Sequence, residues 1–364
     1  YVMLNFGTVP QPVVNPDRYY DVCYGRNYQN SDTGLPPALV QAGCSASFPR
    51  GRDRYPSESG QFGGALRYMA DWLNNTEFGF YAINYHSKLP LVSGIAVTAP
   101  PSGVLPVAGS YFVEYPKDIH LFAMSFNTLL ETGGIALQGE LSYRPNVPLQ
   151  LHSVELLFAG LTPLNPLLPA PGLRFVSQLG QFAPGQEIQG WERHKMSQLQ
   201  LTATKVFGPD NLFHANQIAL VGEVGFDEVW DLPGGLRFNG DGTDTGGGAD
   251  VTTGNLRNPI TQTDGFATKF SWGYRVAARG DYNNVFGTPF NLSPRIAFSH
   301  DVGGISPGPG GNFIRGRKAI TVGAEATYID RWAFDLAYTN YFGAGDLNLI
   351  RDRDFIQFTG KYSF

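Results

Sequence analysis

Apolar and polar residues alternate with a period of two along most of this chain, in segments of about ten residues, the pattern of strands that are apolar on one face and polar on the other. At the end of the chain, Asp354, Ile356, Phe358, Gly360, Tyr362 and Phe364 share one parity, while Arg353, Phe355, Gln357, Thr359, Lys361 and Ser363 share the other. Over residues 61–72, Phe62, Leu66, Tyr68, Ala70 and Trp72 oppose Gln61, Arg67 and Asp71. From 135 to 144, Ile135, Leu137, Leu141 and Tyr143 oppose Gln138, Glu140, Ser142 and Arg144. Residues 266–281 repeat this at greater length, Phe266, Phe270, Trp272, Tyr274 and Val276 against Lys269, Ser271, Arg275, Arg279 and Asp281. Further strands are predicted at 76–86, 119–129, 197–206, 215–229, 292–302, 319–329 and 332–342. With a fragmentary first strand at 1–6, about twelve strands are expected. Such strands suit a barrel wall with lipid outside and a wet lumen inside.

The connections sort by length. With the C-terminus placed in the periplasm, the short turns fall on one side: Asn74-Asn75, 131–134, 208–211, 283–289 and Asp330-Arg331. The long segments 7–60, 87–118, 145–196, 230–264 and 303–317 fall on the other, the extracellular side. The predicted fold class is therefore all-β, a single antiparallel transmembrane outer-membrane β-barrel domain spanning 1–364.

Composition sharpens this. Only 16% of the 364 residues are charged, against roughly 25% in typical globular proteins, so a large surface must face something other than water. The 45 glycines, 26 phenylalanines and 18 tyrosines fit turns and aromatic girdles. The net charge of −5 gives no reason to expect nucleic acid. Residues 89–113 are uncharged for long enough to suggest a spanning helix, but Pro90, Pro100, Pro101 and Pro106 would break it, so an apolar loop is expected. The chain opens at Tyr1 with no leader pattern, and a targeting segment is expected to have been removed. Cys23 and Cys44 lie in a polar, turn-rich stretch where an oxidising envelope favours a disulfide.

The strings YPSESGQFGGALRY, NTEFGFYAINYHSKLPLVSG, SYFVEYPKDIHLFAMSFNT, GELSYRPNVPLQ, VFGPDNL, FSWGYR, FSHDVGGISPGPGGNF and RDRDFIQFTGKYSF occur in this order. In them the chain resembles a proteobacterial family of outer-membrane barrels described as a domain of unknown function. The resemblance runs from about Asn5 to Phe364. It implies further wall strands before the position of Tyr1, about fourteen to eighteen in all. It also implies company with hydrophobic-molecule export or lipid-handling systems, and so a periplasmic carrier or efflux-type partner. The closing Phe364 resembles the sorting signal of such barrels.

Two proline-rich apolar stretches, 89–113 and 161–176, fall on the extracellular side, where contiguous apolar surface marks binding or burial. Phe80 lies on one face of its strand and Tyr81, Ile83 and Tyr85 on the other. With Leu161, Leu164, Leu167, Leu168 and Phe175 they outline a candidate path for an apolar cargo near the outer mouth. The alternative is that the same residues plug the mouth as a packed core. Ser153, followed by Val154, Leu157, Phe158 and Leu161, can start a short amphipathic helix there. The inward parity carries Arg67, Glu140, Arg144, Lys269, Arg275, Arg279 and Glu325, whose mixed signs suit a ladder of ion pairs more than a conduction path.

Enzymatic signals are thin. Gly304-Ile305-Ser306-Pro307-Gly308 matches G-x-S-x-G beside His300 and Asp301, but lacks the strand, turn and helix of a nucleophile elbow. His86 and Ser87 are adjacent on a strand and face opposite ways. The segment from Asn239 to Asp250 has too few oxygens at calcium spacing. No metal site, cofactor or catalytic residue is assigned. The expectation is a non-enzymatic outer-membrane barrel that passes hydrophobic small molecules or lipids, with a porin for polar solutes or a structural envelope component as alternatives.

Overall fold

The computed structural model describes residues 50–98, 108–167, 174–240, 264–329 and 331–364. Fourteen strands are present among these residues. They are β1 (Phe62–Ala70), β2 (Thr76–Tyr85), β3 (Leu91–Thr98), β4 (Ala108–Glu114), β5 (Ile119–Leu130), β6 (Ile135–Gln150) and β7 (Glu187–Ile188). There follow β8 (Trp191–Phe207), β9 (Gln217–Val229), β10 (Phe270–Asp281), β11 (Phe290–Gly303), β12 (Arg317–Tyr328), β13 (Trp332–Gly343) and β14 (Phe355–Tyr362). One helix, α1 (Ser153–Leu161), precedes a 3-10 helix at Thr162–Leu167.

Eleven strands make one antiparallel sheet in the order β1-β2-β5-β6-β8-β9-β10-β11-β12-β13-β14, so neighbours in the sheet follow each other in the chain except where the cap elements intervene. The register carries the sequence alternation across the whole width. One continuous row passes from Leu66 to Phe80, Met124, Leu141, Leu199, Phe226 and Trp272, each opposite the next. A second runs from Val276 through Phe298, Ile320 and Asn340, and a third from Ala324 through Leu336 to Phe358. Nearly all of this face is apolar, and Leu66, Phe80, Met124, Leu141, Leu336 and Phe358 are exposed on it. The opposite face carries the glutamines, threonines, serines and charges. Turns are short at one end; between β1 and β2 both Asn74 and Asn75 adopt left-handed backbone, which their short polar side chains tolerate.

β3, β4 and β7 form a separate three-stranded sheet in the order β4-β3-β7. With α1 and the 3-10 helix it makes a folded cap at the end of the large sheet that bears the long connections. Residues 89–113, expected as an apolar loop, thus contain two strands. Pro90 stands just before β3, and β3 is covered on both faces, so it shows no alternation and reads as unstructured apolar sequence. Likewise the segment 145–196 is not all connection: β6 runs on to Gln150 and β8 begins at Trp191. The register slips between Arg144 and Val147, letting the ladder pass Pro145. β10 starts at Phe270 rather than at Phe266, whose ring packs edge-on against His152 instead. Ser153 is the first helical residue and His152 the cap position, without a side-chain capping bond.

The large sheet is not closed: β1 and β14 are its two edges. The expected first strand at 1–6, Cys23, Cys44 and Leu168 lie outside the described residues.

Candidate functional site

The polar face of the large sheet is a mesh of hydrogen bonds between neighbouring strands. In one row Ser142 faces Gln198, Gln198 faces Asp227, and Asp227 faces Ser271; the Gln198 amide donates to Asp227 at 3.0 Å. In another, Glu223 accepts from Gln200 at 2.6 Å and pairs with Arg275 at 3.6 Å. Toward the short-turn end, Arg279 pairs with Glu325 two strands away at 3.6 Å, and Arg295 grips Asp335 through both terminal guanidinium nitrogens. Gly323 lies opposite Arg295 on the intervening strand. Arg67 lies 3.8 Å from Glu77. Arg144 donates to Gln198 and to the Tyr85 hydroxyl, the latter at 3.2 Å. Satisfying ions within the wall in this way keeps their desolvation tolerable. Of the seven charges predicted for this face, Arg67, Arg144, Arg275, Arg279 and Glu325 are engaged. Glu140 and Lys269 carry exposed side chains.

Over this wall lies a strap, residues 304–316, between β11 and β12. Ile305 and Ile314 bridge its two arms. Its serine, Ser306, donates to Asp227 at 2.7 Å and sits 2.9 Å from the Ser271 hydroxyl. Asn312 donates to the same carboxylate oxygen at 3.3 Å. Phe313 rests on Gly225 and Gly273, neighbours across β9 and β10; a Cβ on either would come within 3.0 Å of its ring. A cavity of about 170 Å³ beside the strap is lined by Glu140, Arg144, Gln200, Glu223, Arg275 and Phe313, among others.

The cap is apolar at its centre. Leu161, Leu164 and Phe175 pack with Val97, Val154 and Phe158 in one buried cluster, and Leu156, Ala159, Ala96 and Ile188 form another. Asn165 closes the Phe175 segment by a two-way amide clamp at 2.9 and 2.7 Å. Gln150, at the end of β6, joins cap to wall by binding Val92 and Gly190 main chain. Glu155 is fully buried on α1, with Arg237 at 3.1 Å and the Gln178 amide at 2.6 Å satisfying its carboxylate. Beside it His152 is fully buried with neither ring nitrogen hydrogen-bonded, and the Ser153 hydroxyl is unpartnered too. Burial, then the Arg237 charge, pushes the His152 pKa down to about 4. At the cap surface Arg54 grips Glu187 through two hydrogen bonds of 2.6 and 2.7 Å and holds its carboxyl below the usual range.

The residues predicted for a cargo path therefore separate. Phe80 lies on the apolar face, whereas Tyr81, Ile83 and Tyr85 share the polar face, where the Tyr81 hydroxyl reaches Ser125 at 3.4 Å. Leu161, Leu164 and Phe175 lie in the cap core, and Leu167 ends the 3-10 helix. Phe364 is fully exposed, 6.2 Å from the Tyr362 ring. Sequence reasoning missed the strap. In the sequence Ser306 stands out only through G-x-S-x-G, whereas the structure commits its hydroxyl to Asp227 and Ser271 and, as an acceptor, to the Phe313 amide. Among the described residues no group of three His, Cys, Asp or Glu side chains is placed to hold a metal ion.

The family model of a protein of unknown function, DUF1302, matches residues 10–364. The chain belongs to the DUF1302 family. No curated protein matches the sequence. The match covers wall, cap and strap alike.

Proposed function

We propose that the large sheet is the wall of a bacterial outer-membrane β-barrel that passes hydrophobic small molecules or lipids, with no chemistry of its own. The observation that carries this reading is the separation of faces over eleven strands, one apolar and exposed, the other polar and cross-linked. An apolar face of that width left in water would be a severe aggregation liability, and lipid removes the liability. Aromatic rings cluster toward the short-turn rim, Phe290 on Tyr328 at 4.7 Å and Trp332 on Tyr362 at 4.5 Å. Others gather toward the cap end, Phe226 on Trp272 at 6.0 Å. Two such belts suit the two membrane interfaces. The short turns would then be periplasmic, open to a carrier or efflux-type partner, and the cap extracellular.

Closure follows a parity rule. Eleven mutually antiparallel strands leave β1 and β14 running in the same direction. Pairing them directly would be parallel, and a second copy inserted in the same orientation meets the same obstacle. An antiparallel barrel thus requires an odd number of further strands between these edges.

The apolar cap supports a hydrophobic cargo: it concentrates leucine, valine and phenylalanine at the mouth, and opening of the cluster around Leu161 and Phe175 would expose a surface for it. A polar-solute pore is the second reading, favoured by the charged, hydrogen-bonded inner wall. Proteoliposomes carrying the protein would be offered a fatty acid and a disaccharide in parallel. Selective passage of the fatty acid supports the first reading, selective passage of the sugar the second, and passage of neither removes both. Bound lipid against the apolar face after native extraction tests the membrane assignment separately.

A further inference from the structure

We infer that residues 304–316 form a constriction seated on the polar wall, latched by Asp227, and that Phe313 sets the size of solute that passes. The inference rests on the barrel reading and adds the part of the wall that selects.

The seat is prepared on both sides. Asp227 is almost fully buried, a state that costs a carboxylate dearly unless donors surround it. Its donors are Gln198 from the wall and Ser306 and Asn312 from the strap. Two of the three thus exist only while the strap is down. The bare backbone of Gly225 and Gly273 forms a shallow floor across two strands, and the Phe313 ring occupies it, itself buried. A Cβ at Gly225 would crowd the ring at 3.0 Å, and one at Gly273 would meet the His300 carbonyl at 2.7 Å as well as the ring. The strap is also tied at its flanks: the Thr268 amide donates to Ile305 at 2.9 Å and the Gly308 amide to Asn239 at 2.7 Å. At its exit Asp301 accepts from the Ile314 amide and from Arg317 at 3.0 and 2.6 Å.

This anchorage leaves Phe313 and Asn312 at the edge of the cavity lined by Glu140, Gln200, Glu223 and Arg275. Those side chains belong to β6, β8, β9 and β10, so the strap narrows the polar face over four adjacent strands. The bonds to Asp227 come from neutral groups, Gln198, Ser306 and Asn312, so the seat depends on register and shape more than on ion pairing.

The test uses the full chain in membranes. The Ser271 and Ser306 hydroxyls lie 2.9 Å apart, so the pair Ser271→Cys and Ser306→Cys should cross-link on mild oxidation, read against each single variant because Cys23 and Cys44 are present. In parallel, Phe313→Ala and a variant lacking residues 308–311 are compared with the unaltered protein for passage of a graded size series of solutes. The expected result is an efficient cross-link, and a size limit that rises in both variants with several-fold faster passage of the larger solutes. Failure to cross-link overturns the seat. A cross-link with the size limit unchanged overturns the constriction while leaving the barrel reading intact. If no solute passes the unaltered protein or either variant, the passage reading falls and the constriction with it, even where the cross-link forms.

Discussion

The wall and the cap are both made of strands rich in the same residues, yet they treat them oppositely. On the wall Leu336 and Phe358 lie exposed on a face shared by eleven strands. In the cap Leu161 and Phe158 are buried against a three-stranded sheet. The wall therefore carries its apolar residues on an open face, and the cap carries them in a core of its own. Stability of the cap comes from burial within the chain; stability of the wall face depends on what surrounds it.

Charge placed in each region should separate the two most strongly. Leu161→Asp puts a carboxylate into a fully buried site and should cost the cap about 5 kcal/mol. Protease sensitivity should appear in the cap while the wall still inserts; an unchanged digestion pattern would contradict the packed core. Leu336→Arg should instead spare the cap and cost membrane insertion about 3 kcal/mol if that face meets lipid, read as folded yield in vesicles. Equal yield would argue that the face meets something other than hydrocarbon.

Within the cap, a pH titration reads His152. The folded-state pKa of His152 is about 4, below its ordinary 6.5. The unfolded chain therefore binds the extra proton between these values, and stability falls as pH drops through that window. The loss approaches about 3 kcal/mol at its acidic end. Hydrogen exchange at α1 should accelerate there, and His152→Phe should flatten the response; a profile indifferent to that substitution would refute the assignment. The smallest effect belongs to the exposed Arg54–Glu187 pair. Because Glu187 is held below its ordinary pKa, its contribution is present above about pH 4.5 and fades on acidification. Glu187→Gln should cost about 0.5 kcal/mol, less at high salt, as measured by thermal unfolding of the cap.

The same contrast explains what could be read beforehand. β5, β12 and β13 are legible because each has one apolar and one polar face, and alternation is the imprint of such a strand. β3 did not, because Leu91, Ser93, Ala96 and Val97 are all buried and both its faces are enclosed. Proline near it looked like a break, although it only marks the strand's margin. The charge ladder was partly legible too: the parity of Arg275, Arg279 and Glu325 put them on one face, while their partners depended on register. Phe266 was misplaced because extending an alternating pattern past Phe270 cannot reveal that the chain has already turned to pack on His152.

Sequence alone determined that this chain makes two-faced antiparallel strands joined alternately by short and long connections, since side-chain direction alternates strictly along a strand and each turn is chemically local. Only the tertiary structure decided that β3, β4, β7 and α1 fold into a cap with its own core, and that Ser306 and Asn312 reach Asp227. Those contacts join residues 79 and 85 positions apart. Their partnership depends on strand register and on the space above two glycines, quantities that no local pattern encodes.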